Sequence, residues 1–211
     1  MREPKERSPK KRNYVQKRRA ESQEATRQRI IDAAVALHES VGPRNTSISA
    51  IAEHAGVQRL TVYRHFPNET EIFRACTSHW LAQHPPPDPA GWSDAEGIDR
   101  VRTALAAFYR YYRGTEAMWT ASHRDEAEVE ALRGPMQAFR AGLAAIARDL
   151  AEPLSISGGR ADVAATIGHA LAFTTWQSLA GLGLDDAAAA DLVCGWLTGL
   201  GAVAKTPREV R

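Results

Sequence analysis

The chain has 211 residues, 44% of them hydrophobic and 25% charged, with a formal net charge of +2, which suits one or two globular domains. No run of about 18 apolar residues occurs, so no membrane-spanning helix is expected, and the basic N-terminus lacks the apolar stretch of a secretion signal. The charge is unevenly placed: residues 1–19 hold nine basic residues against Glu3 and Glu6, leaving 18 basic and 23 acidic residues elsewhere.

A basic arm on an acidic body points to a polyanionic partner reached through the arm. Residues 1–19 combine two prolines with high charge and few apolar side chains, so they are expected to be disordered alone. They read either as an arm lying on phosphates or in a minor groove, or as a solvated tail. The two cysteines, Cys76 and Cys194, are expected to be free thiols of a cytoplasmic protein. A redox pair would need Cα atoms within about 7 Å.

A first long helix is predicted over about 21–41, with Ile30, Ala33, Ala34, Leu37 and Val41 as its apolar stripe. Gly42 and Pro43 end it. Ile31 and Arg27 read as surface residues, and His38 and His54 as surface or capping histidines. The stretch 46–66, TSISAIAEHAGVQRLTVYRHF, reads as two short helices joined by a tight turn. Ile48, Ile51, Ala52 and Ala55 make one apolar face, Ser47 is a natural N-cap, and Gly56 suits a left-handed turn. Val57 drops toward the core, and the second helix, 59–65, turns Leu60 or Val62 inward. Pro67 stops it. Gln58, Arg59, Thr61, Tyr63, Arg64 and His65 load this helix with hydrogen-bonding groups, as a rod entering a DNA major groove requires.

Residues 26–80 resemble the DNA-binding domain of the TetR family of one-component regulators. The resemblance rests on IIDAAVALHESVG, TSISAIAEHAGV and TVYRHFPNETEIF. It implies that Tyr63 and His65 donate to phosphates. Thr46 and Ser47 can add donors at the start of the preceding helix. Gln58 and Arg59 are best placed for base edges, since Gln can pair with adenine and Arg with guanine. Thr61 suits a phosphate or a thymine methyl, and Arg64 either role. Gln58 stands where the family usually has Ser or Thr. Glu69 stands where it commonly has a phosphate-contacting Lys, so that contact is not carried over.

A fourth helix, capped by Asn68, is predicted to run through Ile72, Phe73, Cys76 and Trp80. The proline-rich stretch 84–92 reads as a linker. Further helices are expected from Ser93 or Asp94 to Gly114, over TEAMWTASHRDE with Thr115 as cap, from about Pro135 to Glu152, over 160–182, and over 185–204. No strand-like alternation appears, so the fold is all-α with about nine helices. The expected plan is a basic arm (1–19), a helix-turn-helix DNA-binding domain (20–67), and a ligand-binding and dimerisation domain (68–211).

The last two helices carry apolar residues on most of their faces, among small ones. A second buried surface follows: a homodimer interface formed as a four-helix bundle, using Ile167, Leu171, Thr174, Leu192, Trp196, Gly199 and Leu200. The alternative is simple core packing. The resemblance also implies a ligand cavity in the body. Its candidate lining is Trp80, Phe108, Tyr112, Met118 and Trp119, with His123, Phe139, Phe173 and Trp176. Such a set suits a small apolar or aromatic effector, although each of these residues also reads as core.

The expected function is therefore a ligand-responsive transcriptional regulator, a repressor on a palindromic operator in double-stranded DNA. A DNA-binding protein with no ligand is one alternative. An enzyme using His123 and the carboxylates of HRDEAEVE is another, opposed by the lack of a nucleophile elbow, phosphate loop, HExxH or CxxC motif. No cofactor or metal is expected.

Overall fold

A computed structural model describes residues 9–154 and 159–203. Among them all regular structure is helical: α1 (Pro9–Ser40), α2 (Ile48–His54), α3 (Arg59–His65), α4 (Glu69–Gln83), α5 (Gly97–Asp125), α6 (Glu130–Ala151), α7 (Arg160–Ala170), α8 (Phe173–Gly181) and α9 (Asp186–Val203). One-turn 3-10 helices occupy Pro43–Asn45 and Pro89–Trp92. None of the helices is long and apolar enough to cross a membrane. The chain divides into two compact units, Met1–Ala82 and Gln83–Arg211. The division places all but the last residue of α4 with α1, α2 and α3.

The N-terminal unit is held by one apolar cluster. Ile30, Ile31, Ala33 and Ala34 of α1 pack with Ile48, Ile51 and Ala52 of α2, Val62 and Phe66 of α3, and Ile72 and Cys76 of α4. Ile31 is buried in this cluster, not on the surface, so the apolar stripe of α1 is wide enough to take in both Ile30 and Ile31. Val41 is exposed, since α1 ends one residue before it. His38 is also buried, with Nδ1 3.4 Å from Cys76 Sγ and its ring 5.4 Å from that of Phe73. His54 is exposed. Arg27 lies over the Phe66 ring at 4.9 Å, where its stem covers apolar surface. α1 begins at Pro9, so the part of the expected disordered arm from 9 to 19 is helical; Arg2, Lys5 and Arg7 lie outside the described residues.

The turns follow local chemistry. Ser47 Oγ accepts from the Ala50 N–H (3.1 Å) at the start of α2. Gly56 takes φ +64°, and the Val57 N–H closes the turn on the Ala52 carbonyl at 2.9 Å. Asn68 Oδ1 accepts from the Glu71 N–H (2.9 Å) to cap α4.

In the second unit several boundaries differ from expectation. Ser93 does not cap the fifth helix; its hydroxyl donates to the Ala90 carbonyl, and α5 starts at Gly97 with Glu96 before it. The expected fifth and sixth helices are one element, kinked at Thr115 (φ −129°, ψ 17°), whose Oγ1 donates to the Tyr111 carbonyl at 2.6 Å. Pro135 lies inside α6 rather than in its first turn. The expected helix over 160–182 breaks between α7 and α8, where Ala172 is extended (ψ 140°).

That break sits against two buried tyrosines of α5. Tyr109 Oη donates to the Ala170 carbonyl (3.1 Å) and Tyr112 Oη to the Leu171 carbonyl (2.7 Å). These are carbonyls of the kind that a helix end leaves without an intrahelical partner. Trp92, within the expected linker, is buried and packs on Phe108 at 6.1 Å between ring centroids. Arg113 donates to Asp186 (2.8 Å), Trp176 Nε1 donates to the same carboxylate (3.2 Å), and Arg113 lies over the Trp176 ring. This ties α5, α8 and the start of α9 together. Arg113 foremost holds the Asp186 carboxyl below its usual range.

Both cysteines are free and buried, one in each unit. Burial pushes the Cys76 thiol up to about 12 and raises that of Cys194 as well.

Candidate nucleic-acid interface

α3 is seven residues long and is fixed by its apolar side. Val62 is fully buried, and Phe66, just past the helix, is buried beside it. The opposite side is then forced outward by helix geometry. Gln58, Arg59 and Arg64 are exposed, Tyr63 is 37% exposed, and Thr61 and His65 are half-buried. Leu60 is not the inward residue: it is 71% exposed.

Gln58 is the N-cap residue by backbone conformation, but its side chain makes no capping bond. The amide is thus not spent on its own helix, in contrast to a Ser or Thr at that position. Its carbonyl accepts from the Thr61 N–H at 2.8 Å and so starts the helix. Arg59 Nη2 donates to Tyr63 Oη (3.2 Å), and the guanidinium lies 5.6 Å from the Tyr63 ring centroid. The Tyr63 hydrogen bond first, and the Glu69 charge to a lesser degree, favour the charged form of Arg59. Glu69 itself is exposed, so a negative charge sits where the resemblance would imply a basic phosphate contact.

Thr46 is half-buried, and its hydroxyl donates to the Gly42 carbonyl at 2.9 Å. That donor is therefore engaged within the chain. Ser47 accepts from its own helix and still has a hydroxyl hydrogen to give.

Residues 30–76 match the family model of bacterial regulatory proteins, tetR family. That segment is similar to the N-terminal domain of tetR-family regulatory proteins. Over 71 residues it is 41% identical to the HTH-type transcriptional regulator SrpR of Pseudomonas putida, covering 34% of this chain and 32% of that one. Over 59 residues it is 41% identical to the HTH-type transcriptional regulator AcrR of Shigella flexneri, covering 28% and 27%. The match thus spans about a third or less of these curated relatives. The whole fold is similar to that of a TetR-like transcriptional regulator from Rhodococcus sp. RHA1, with TM-score 0.59 and 23% identity over 85% of this chain and 97% of that one. It is also similar to the multidrug binding protein EbrR complexed with imidazole, with TM-score 0.53 and 20% identity over 87% and 97%.

In the second unit the aromatic candidates meet around Tyr112. Its ring lies 5.5–6.5 Å from those of Phe108, Phe139, Phe173, Trp119 and Trp176. Trp119 packs on Phe139 at 4.3 Å, and His123 stacks on Phe173 at 5.2 Å. Phe108, Tyr112, Trp119, Phe173 and Trp176 are buried, whereas His123 and Phe139 are half-buried and bring the cluster to the surface; Met118 is half-buried too. Burial, followed by smaller opposed effects of Glu126 and Arg140, lowers the His123 pKa. Trp80 belongs to the N-terminal unit, where its Nε1 donates to Glu39 Oε1 at 3.0 Å.

The acidic segment after His123 is committed to arginines. Glu126 takes two bonds from Arg140, at 2.6 and 2.9 Å, and buried Asp125 pairs with Arg124. Among the described residues no group of three or more His, Cys, Asp or Glu could hold a metal ion.

The expected interface residues separate into two kinds. Ile167 and Leu171 are fully buried inside the subunit: α7 spends its apolar face on its own core, so they cannot form an outer surface. Thr174, Leu192, Trp196 and Gly199 are exposed. On α9 the residues at 192, 196 and 199 share one face, while Ala189, Ala190, Val193, Cys194 and Leu197 fill the buried side. The side chain of Leu200 lies outside the described residues. Leu182, which sequence reading missed, is 76% exposed at the end of α8.

Proposed function

We propose that the chain is a cytoplasmic, homodimeric transcriptional repressor. It binds a palindromic operator in double-stranded DNA and is released by a small apolar or aromatic effector. The observation that carries this reading is the outward polar side of α3, fixed through Val62 and lying within the segment that matches the tetR family. Phosphate contacts from Tyr63, His65 and Ser47 set register, and Gln58, Arg59 and Arg64 address base edges. Thr61 adds a phosphate or methyl contact.

The exposed apolar stripe of Leu192 and Trp196, with Gly199 allowing close approach, supports a helix-bundle dimer. Two heads then meet half-sites about one helical turn apart or further. An effector at the aromatic cluster acts by favouring one dimer conformation. The basic N-terminal arm adds phosphate neutralisation. Deleting residues 1–18 weakens binding to all sequences and flattens its salt dependence.

The decisive experiment is selection of bound sequences from random duplex DNA. A palindromic motif is expected, and no enrichment would overturn the reading. Trp196→Glu is expected to convert the species seen by gel filtration from dimer to monomer.

One observation favours a second reading, a DNA-binding protein with no ligand: the body's aromatic rings pack on one another. A thermal-shift screen over aromatic and apolar compounds separates the two readings, since only an effector-responsive chain shifts.

A further inference from the structure

We infer that Leu60 reads a thymine by packing on its 5-methyl group, an inference that rests on the DNA-binding reading of α3. Single exposed apolar side chains are ordinary on protein surfaces, so exposure alone is not the argument. Position is. At 3.6 residues per turn, Leu60 and Arg64 each lie about 160° around the helix from Val62. Val62 is fully buried and Leu60 is 71% exposed, so Leu60 and Arg64 mark the midline of the outward side. These are the residues that reach deepest when such a helix enters a groove.

Leucine has neither donor nor acceptor. It cannot serve a phosphate or the polar edge of a base. The apolar feature that a base pair presents in the major groove is the thymine methyl. Around Leu60 the helix is polar, with Gln58, Arg59 and Arg64 exposed and Tyr63 partly so. A protein partner's apolar pocket would have to bury those groups unpaired, which is costly. The DNA groove offers them phosphates and base acceptors instead. Leu60 thus becomes a specificity residue that works by removing one methyl group from water at a defined step of the operator.

The test uses the full chain, wild type and Leu60→Ala, each put through selection from random duplex DNA. In the site that wild type selects, each thymine is replaced in turn by uracil, which lacks only the methyl. Binding is followed by fluorescence anisotropy. Burying one methyl-sized group is worth about fourfold in affinity. The expected result is at least one thymine position where uracil weakens wild-type binding about fourfold. Leu60→Ala should bind thymine and uracil there equally, and Leu60→Met, which keeps the apolar reach, should still discriminate. Leu60 is exposed, so the alanine variant keeps its core, and an unchanged melting temperature checks this.

A selected motif with no uracil-sensitive thymine overturns the inference and leaves the DNA-binding reading standing. So does equal uracil sensitivity in wild type and Leu60→Ala, and a wild-type motif retained unchanged in Leu60→Ala would mean that Leu60 serves another partner. If wild type enriches no motif, the DNA-binding reading fails and this inference falls with it.

Discussion

Replacing Tyr112 by Phe removes one oxygen and leaves the ring, with its aromatic neighbours, in place. The lost donor serves the Leu171 carbonyl at 2.7 Å, in a fully buried residue at the break between α7 and α8. Burial lifts the Tyr112 pKa well above its ordinary value, so the hydroxyl remains a donor throughout the neutral range. Such a hydrogen bond nets about 1 kcal/mol, and a stranded buried acceptor costs about 1–3 kcal/mol. Tyr112→Phe is therefore expected to destabilise the body by about 1–2 kcal/mol. Tyr109→Phe should cost less, because its bond to the Ala170 carbonyl is longer, at 3.1 Å. Both donors serve one break, so the double variant should fall short of the sum of the singles. Urea unfolding followed by tryptophan fluorescence measures this, with the midpoint moving and the slope unchanged. In a thermal scan each 1 kcal/mol appears as a drop of about 2–4 °C. If Tyr112→Phe matched wild type within about 0.3 kcal/mol, water would be reaching that carbonyl and the stated role of the hydroxyl would be wrong.

Three other outcomes are expected. Gly56→Ala should cost the N-terminal unit about 1 kcal/mol; nothing lies within 4 Å of an added Cβ, so a far larger loss on melting would mean that the left-handed backbone is not the whole cause. Arg59→Ala should lose about 1–3 kcal/mol of operator binding and relax preference at one base position; a uniform loss across all sequences would make Arg59 a phosphate contact. His123, whose folded pKa lies below the ordinary 6.5 chiefly through burial, is held neutral by folding. The unfolded chain takes up that proton first, so stability should fall as pH drops below about 6.5 and level off below the folded value. Denaturant titrations from pH 7.5 to 5 test the sign, and His123→Gln should lack that component.

The head of the molecule is legible because its chemistry is local. Ser47, Gly56 and Asn68 occupy the cap and turn positions their side chains suit, and the observed bonds are between neighbours in sequence. The body is less legible because its breaks are tertiary. Nothing at Leu171 or Ala172 marks a helix end; the break is matched by hydroxyls some sixty residues earlier. Thr115 suggested a cap, but a hydroxyl returning to the Tyr111 carbonyl lets the helix bend and continue. Pro135 suggested a start because proline fits a first turn, yet α6 gathers five residues before it. At the site, Arg59 and Tyr63 were readable as outward groups, whereas their mutual bond was not. Leu60 and Val62 were equivalent by composition and separable only by helix phase against the core. Ile167 and Leu171 show that apolar residues on most faces of a helix do not reveal which face stays inside.

The two sealed thiols have a practical consequence. Alkylation and disulfide exchange proceed through the thiolate, and Cys76 and Cys194 are both buried with their ionisation suppressed. A maleimide reagent should pass over the native sulfurs. A single new cysteine on the outer side of α3 or α9 can then take a fluorophore or spin label without prior removal of either, so the spacing between the two copies of α3 in the proposed dimer becomes directly measurable in solution.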